Sequence, residues 1–208
     1  RRLGWLLGLG ALHGIFLFDG DILGTYAILG LFALRYLGRE HRPLDIAKFL
    51  LAGYALLWWF STSLPQPMPI PGSSEFFMNK SFWEVSGERL ETWLYNTPLA
   101  SLVFGAELVG LFLLGMYLAP RWQTLGPATL WRVVAVGLLI GIPVNLYNAQ
   151  HPDLQPLRGL GGLAFALVYM ALFRLYWPRL GWLHNLQFVG RMPLSNYLLQ
   201  SAAMSTVF

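Results

Sequence analysis

The chain has 208 residues, of which 56% are hydrophobic and 12% charged, with a net charge of +4 and no cysteine. A soluble domain carries about 25% charged residues, so this is the composition of a polytopic membrane protein. Disulfides, thiolate metal sites and thiol catalysis are excluded, and the lack of a basic run or a polar aromatic face argues against nucleic acid as a partner.

A helix needs about 20 apolar residues to cross the ~30 Å hydrocarbon core. Seven spans are predicted, at 3–18, 22–38, 46–64, 97–119, 130–148, 158–177 and 188–208. The fold class is therefore all-α, a transmembrane bundle forming one domain over 1–208. The chain opens on Arg1-Arg2 rather than Met, with a span directly behind and no cleavable signal peptide. This predicts a fragment of a longer protein.

The first two spans meet at "DGD" (19–21) and read as a helical hairpin. His13 lies about 7 Å below the outer end of span one, at 1.5 Å per residue. A neutral imidazole donates and accepts hydrogen bonds, so it suits a general base, a proton relay or an acyl carrier. The bland alternative is a histidine bonded to a neighbouring helix. Asp21 is placed to cap span two. Asp19 is a turn residue before Gly20, and both aspartates are expected at the water edge. Tyr26, one turn into span two, points inward or meets the interface. Gly4, Gly8, Gly10 and Gly14 have the small-xxx-small spacing that lets helices approach closely.

The longest loop follows span three. "PQPMPIPG" has prolines at 65, 67, 69 and 71, so it is extended. "SFWEVSGERLETWLYN" (81–96) mixes Phe82, Trp83, Leu90, Trp93 and Leu94 with charges. It suits either a helix on the outer membrane surface or a loop over the bundle. Glu107 then stands alone in "SLVFGAELVGLFLLGMYLA". A carboxylate there should be protonated, paired or in a wet cavity. His13 and Glu107 differ in depth by about 6 Å, so they touch if their spans are neighbours.

"GIPVNLYNAQHPDLQPLRG" (141–159) joins spans five and six. Asn145, Asn148, Gln150, His151, Asp153 and Arg158 form either an outer mouth for a polar group such as a sugar or a solvated loop. His151 and Asp153 are near enough for a base and its orienting carboxylate. In the last span Pro193 suits a first turn, and Asn196 and Gln200 share a face expected to point into the bundle. Arg174, Arg179 and Arg191 suit the phosphates of a cytoplasmic cofactor, or simply the positive-inside bias.

That bias sets the topology. With a cytoplasmic N-terminus and alternating spans, the inner segments hold Arg1, Arg2, Arg35, Arg39, Arg42, Lys48, Arg121, Arg132, Arg174, Arg179 and Arg191; the outer ones hold Lys80, Arg89 and Arg158. The tryptophans fall at or near span ends or in the outer loop, as an aromatic belt requires. P-loop, HExxH and GxSxG patterns are absent, and no metal site is expected.

Three stretches resemble one known family. "LLGLGALHGIFLFDGDILGTYAILGLFAL" resembles the hairpin of the bacterial YeiB-like membrane proteins, with its histidine, short link, "DIL" and "YA". "LVGLFLLGMYLAP" resembles a later glycine-containing span of that family, and "VGRMPLSNYLLQS" its "NYL-x-QS" stretch. The family is usually longer at both ends. Its layout is similar to a superfamily of membrane acyltransferases, including the heparan-glucosaminide N-acetyltransferases and enzymes that O-acylate bacterial polysaccharides. The resemblance implies a multi-pass protein of the bacterial cytoplasmic membrane that passes an acyl group from a cytoplasmic thioester to an outer acceptor. It carries the "H…DIL…YA" match onto His13 but no catalytic role, since the histidine credited with catalysis in acyltransferase relatives lies near the start of the full-length chain.

The resulting expectation is an acyltransferase-like protein with acyl-CoA as donor and a sugar or other small molecule as acceptor. His13, Asp19, Asp21 and Glu107 would be catalytic. Tyr26, Asn145, Asn148, His151, Asp153, Asn196 and Gln200 would bind the acceptor, and Arg174, Arg179 and Arg191 the donor phosphates. The competing expectations are a transporter with His13 and Glu107 as relays, and an inert scaffold locked by its polar groups.

Overall fold

A computed structural model describes residues 1–18, 20–37, 39, 42–61, 80–151, 155–181 and 185–207, without the side chains at 58, 59, 61, 155–158 and 205–207. The described residues are helical, with no strand among them. In chain order the helices are α1 (Arg2–Phe16), α2 (Leu23–Ala33), α3 (Arg42–Ser61), α4 (Phe82–Val103), α5 (Gly105–Trp122), α6 (Pro127–Gln150), α7 (Gln155–Tyr176), α8 (Leu186–Gly190) and α9 (Pro193–Val207). Short 3-10 turns extend α2 over Leu34–Tyr36 and α7 over Trp177–Arg179. The segment carrying the "PQPMPIPG" prolines lies outside the described residues.

The hairpin expected from "DGD" forms. α1 ends where the His13 carbonyl accepts the N–H groups of both Leu17 and Phe18, each at 2.9 Å. α1 and α2 then pack at backbone distance. A Cβ at Gly10 would stand 2.6 Å from the Gly24 nitrogen, and one at Gly14 2.4 Å from the Trp93 ring. Only hydrogen fits there, which is why the chain has glycine at these positions.

α4 starts at a capping box. The Ser81 hydroxyl accepts from the Glu84 N–H, and the Glu84 carboxylate accepts from the Ser81 N–H at 2.7 Å. The structure departs here from the expected span 97–119. A single helix runs from 82 to 103, absorbing the start of that span. It breaks at Phe104, whose backbone leaves the helical region (φ −97°, ψ 0°), and α5 sets off at 64° to α4. Gly105 follows, buried against Leu29 of α2. The bend lets α5 turn onto α2 and α3, a tertiary demand that apolar periodicity does not record. The last expected span is likewise divided, into the short α8 and α9, with Pro193 in the first turn of α9.

α1 packs on α2 and α4, α2 on α4 and α5, α3 on α5 and α7, and α6 along α7. Between α6 and α7, Leu130, Val134, Val168 and Ala171 form a buried cluster, and Gly137 lies against Val168. Many large apolar side chains face outward instead, among them Phe49, Leu102 and Leu139. Such an outer face suits hydrocarbon, where close packing rather than apolar burial holds helices together. By length and composition, Pro127–Gln150 and Gly159–Arg179 are apolar enough to cross a membrane, and the bent pair α4–α5 makes a third if counted as one span. The other described helices are shorter or less apolar.

Candidate functional site

α1 and α2 bring His13 and Asp21 together across the hairpin. The His13 Nδ1 donates to Asp21 Oδ1 at 3.0 Å, and both side chains are fully buried. The second Asp21 oxygen accepts the Gly24 N–H at 2.9 Å, so Asp21 caps α2 as its spacing predicts. The Trp93 indole N–H from α4 approaches the same oxygen at 3.5 Å. Asp21 is not at the water edge. It is affordable inside because donors surround it and because the start of α2 favours an anion. His13, in the last turn of α1, sits at the helix end that favours a cation.

A carboxylate accepts only, so a neutral His13 carries its proton on Nδ1 and has its lone pair on Nε2. That Nε2 is buried and has no hydrogen-bond partner among the described residues. The Tyr197 ring of α9 packs on the imidazole at a centroid distance of 4.8 Å, and the buried Tyr197 hydroxyl lies against the Ile22 backbone. Phe18 meets the imidazole edge-on at 6.3 Å. An oriented imidazole with an unpartnered nitrogen, packed on a tyrosine, is an arrangement that can move a proton to or from a polar substrate.

Asp19 lies outside the described residues. Glu107 does not join His13. It lines a separate cavity of about 110 Å³ with Tyr54 and Gly159. Tyr26 turns to Phe112 of α5, ring edge to face at 5.5 Å, and is 37% exposed. On α6, the Asn145 amide bonds back to the Gly141 carbonyl at 2.7 Å, and Asn148 is buried with neither amide atom partnered among the described residues. His151 is exposed and stacks on Tyr147 at 4.1 Å, while Asp153 lies outside the described residues, as does the side chain of Arg158. Asn196 donates to the Val189 carbonyl of α8 at 2.9 Å, and Gln200 is exposed, so this pair does not turn into the bundle. Arg174 donates to the Gln123 carbonyl at 2.6 Å, Arg179 is exposed, and Arg191 lies over Phe188 at 5.9 Å. Among the described residues no three His, Asp or Glu side chains are placed to hold a metal ion.

Two site residues escape a reading of the sequence alone. Trp93 reads as part of an amphipathic surface stretch, and Tyr197 as a plain member of "NYL". Both signals exist in the chain, but neither says which helix it will meet.

Residues 121–208 match the family described as "Protein of unknown function (DUF418)". The chain is 28% identical to the "Uncharacterized protein YeiB" of Escherichia coli, an alignment covering all of this chain and 62% of that protein. It is 27% identical to the "Uncharacterized protein YxaH" of Bacillus subtilis, covering all of this chain and 58% of that one. The chain thus spans about three fifths of the length of these relatives. No solved structure matches. The hairpin, the Asp–His pair and the "NYL" tyrosine thus belong to a chain that is similar to YeiB and YxaH along its whole length and matches the DUF418 family over residues 121–208.

Proposed function

We propose that this is a multi-pass protein of the bacterial cytoplasmic membrane, with seven crossings and a cytoplasmic N-terminus, that transfers an acyl group using His13 as its base. One observation carries the reading: a fully buried His13 held by Asp21 at 3.0 Å, with Nε2 left unpartnered. The likeness of the YeiB-like layout to membrane acyltransferases supports the choice of reaction.

The donor is an acyl thioester such as acyl-CoA, and the acceptor a hydroxyl such as a sugar's. His13 Nε2 takes the hydroxyl proton as the oxygen attacks the thioester carbonyl. Asp21 stabilises the imidazolium that forms. The Tyr197 hydroxyl supplies a donor for the carbonyl oxygen as it gains charge. The carbon–sulfur bond then breaks, and the leaving thiolate takes the proton back from Nε2. Because His13 is 1% exposed, a substrate reaches Nε2 only after a wall such as the Tyr197 ring moves aside.

A second reading makes the pair a lock for the hairpin, without chemistry. It draws on the backbone-distance packing at Gly10 and Gly14. Transfer of labelled acetyl from acetyl-CoA, measured with the full-length protein in proteoliposomes and a panel of sugar acceptors, separates the two. Acyl transfer requires product from the wild type and its loss in His13→Ala; no product with any acceptor supports the lock.

A further inference from the structure

Glu107 stands apart from the hairpin site, in the first turn of α5 just beyond the break at Phe104. Its carboxylate faces the junction of α3, α5 and α7. The walls there are Leu51, Ala55, Leu111, Leu160 and Leu163, none of which offers a side-chain donor. Gly159 lets the carboxylate in: a Cβ at that position would stand 3.0 Å from Glu107 Oε1. The cavity beside it measures about 110 Å³. A single water needs roughly 10–15 Å³ of such space, so several fit, provided polar groups hold them. The Glu107 carboxylate is such a group, and Tyr54 also lines the cavity.

We propose that Glu107 and this cavity form a proton-binding site: a hydrated carboxylate at a helix break that takes up and releases a proton through water in the cavity. Carboxylate and hydronium give the neutral acid and water, so no other reactant enters. Three facts converge on this. The carboxylate has no cation among the lining residues, there is room for water against it, and irregular backbone among apolar helices is tolerated where it lines such a cavity. An ionisable group in apolar helices marks a proton or substrate path by default. The titratable groups facing it are few. α3 brings Tyr54, and the Lys48–Asp45 pair on that helix is exposed. α7 brings Gly159, preceded by Arg158, whose side chain is not described. α5 brings Glu107 itself.

The site is independent of acyl transfer and can be tested without it. A carbodiimide adds to a protonated carboxyl in apolar surroundings and leaves a stable N-acylurea. Full-length protein in vesicles is treated with dicyclohexylcarbodiimide over a series from acid to alkaline pH, and adducts are mapped by peptide mass. Glu107 is expected to be labelled at acid pH, with labelling lost as pH rises and absent in Glu107→Gln. His13→Ala should leave the labelling unchanged, and Gly159→Ala, which fills the space at Oε1, should reduce it. No adduct on Glu107 at any pH, or an adduct that does not vary with pH, overturns the proposal.

Discussion

Asp21 and Glu107 are both carboxylates set among apolar helices, and the fold treats them in opposite ways. Asp21 is closed in. His13, Gly24 and Trp93 all aim donors at it, and its side chain has no exposure. Glu107 faces leucine walls and a small cavity. The difference follows from chain distance. His13 and Asp21 are eight residues apart across one tight link, so a local hairpin assembles the pair. Glu107 meets α3 and α7 across long stretches of chain, and no donor is supplied locally. A preorganised pair suits directed proton transfer at one atom, whereas a lone carboxylate beside water suits exchange with solvent.

The sharpest way to break this comparison is Asp21→Asn. An amide at position 21 donates to Nδ1, so the imidazole proton moves to Nε2 and the lone pair is lost. Removing an oriented base costs about 10²–10⁴-fold. Transfer in proteoliposomes should fall by that much while the protein still extracts as a folded species. Near-normal transfer would leave Asp21 with only its capping role.

Packing provides the next contrast. Gly10→Ala and Gly14→Ala force α2 and Trp93 away from α1, and overpacking of this kind costs about 1–3 kcal/mol. Gly53→Ala, with nothing within 4 Å of the new methyl, should be close to neutral or slightly stabilising. Glu107→Gln breaks no contact to a partner among the described residues and should change stability by less than about 0.5 kcal/mol. Thermal unfolding in one detergent compares all four. Equal losses at Gly10 and Gly53 would mean that the hairpin is not packed as described.

A local effect is expected at the cap of α4. Ser81→Ala should cost about 1 kcal/mol. The Ser81 hydroxyl and N–H hold the Glu84 carboxyl below its ordinary value, with Lys80 adding to the effect. A depressed folded-state value means the stabilisation is complete above the ordinary carboxylate range and is lost as pH falls through the lower folded value. Wild type should therefore lose more stability in acid than Glu84→Gln, as read from the unfolding temperature against pH.

Much of this was legible in the chain. "DGD" after an apolar run announced the hairpin, and the three-residue step from Asp21 to Gly24 announced the cap. The burial of Asp21 was not legible, because it depends on Trp93 arriving from a helix 72 residues away. Nor was the break at Phe104, where "VFGAEL" is as apolar as its surroundings and the bend answers to α2 and α3. Tyr197 illustrates the same limit from the far end of the chain. Its place in "NYL" did not single it out, and only the fold sets it on His13. The pairing of His13 with Glu107, allowed by depth, fails because the two face different helix junctions.

The central claim is that His13 and Asp21 act as one unit in acyl transfer. It is tested most directly by the transfer rates of full-length His13→Ala, Asp21→Asn and the double variant. Groups that act as a unit are strongly non-additive. The account predicts a large loss in each single variant and no further loss in the double. Losses that multiply, or single variants that transfer at the wild-type rate, would contradict it.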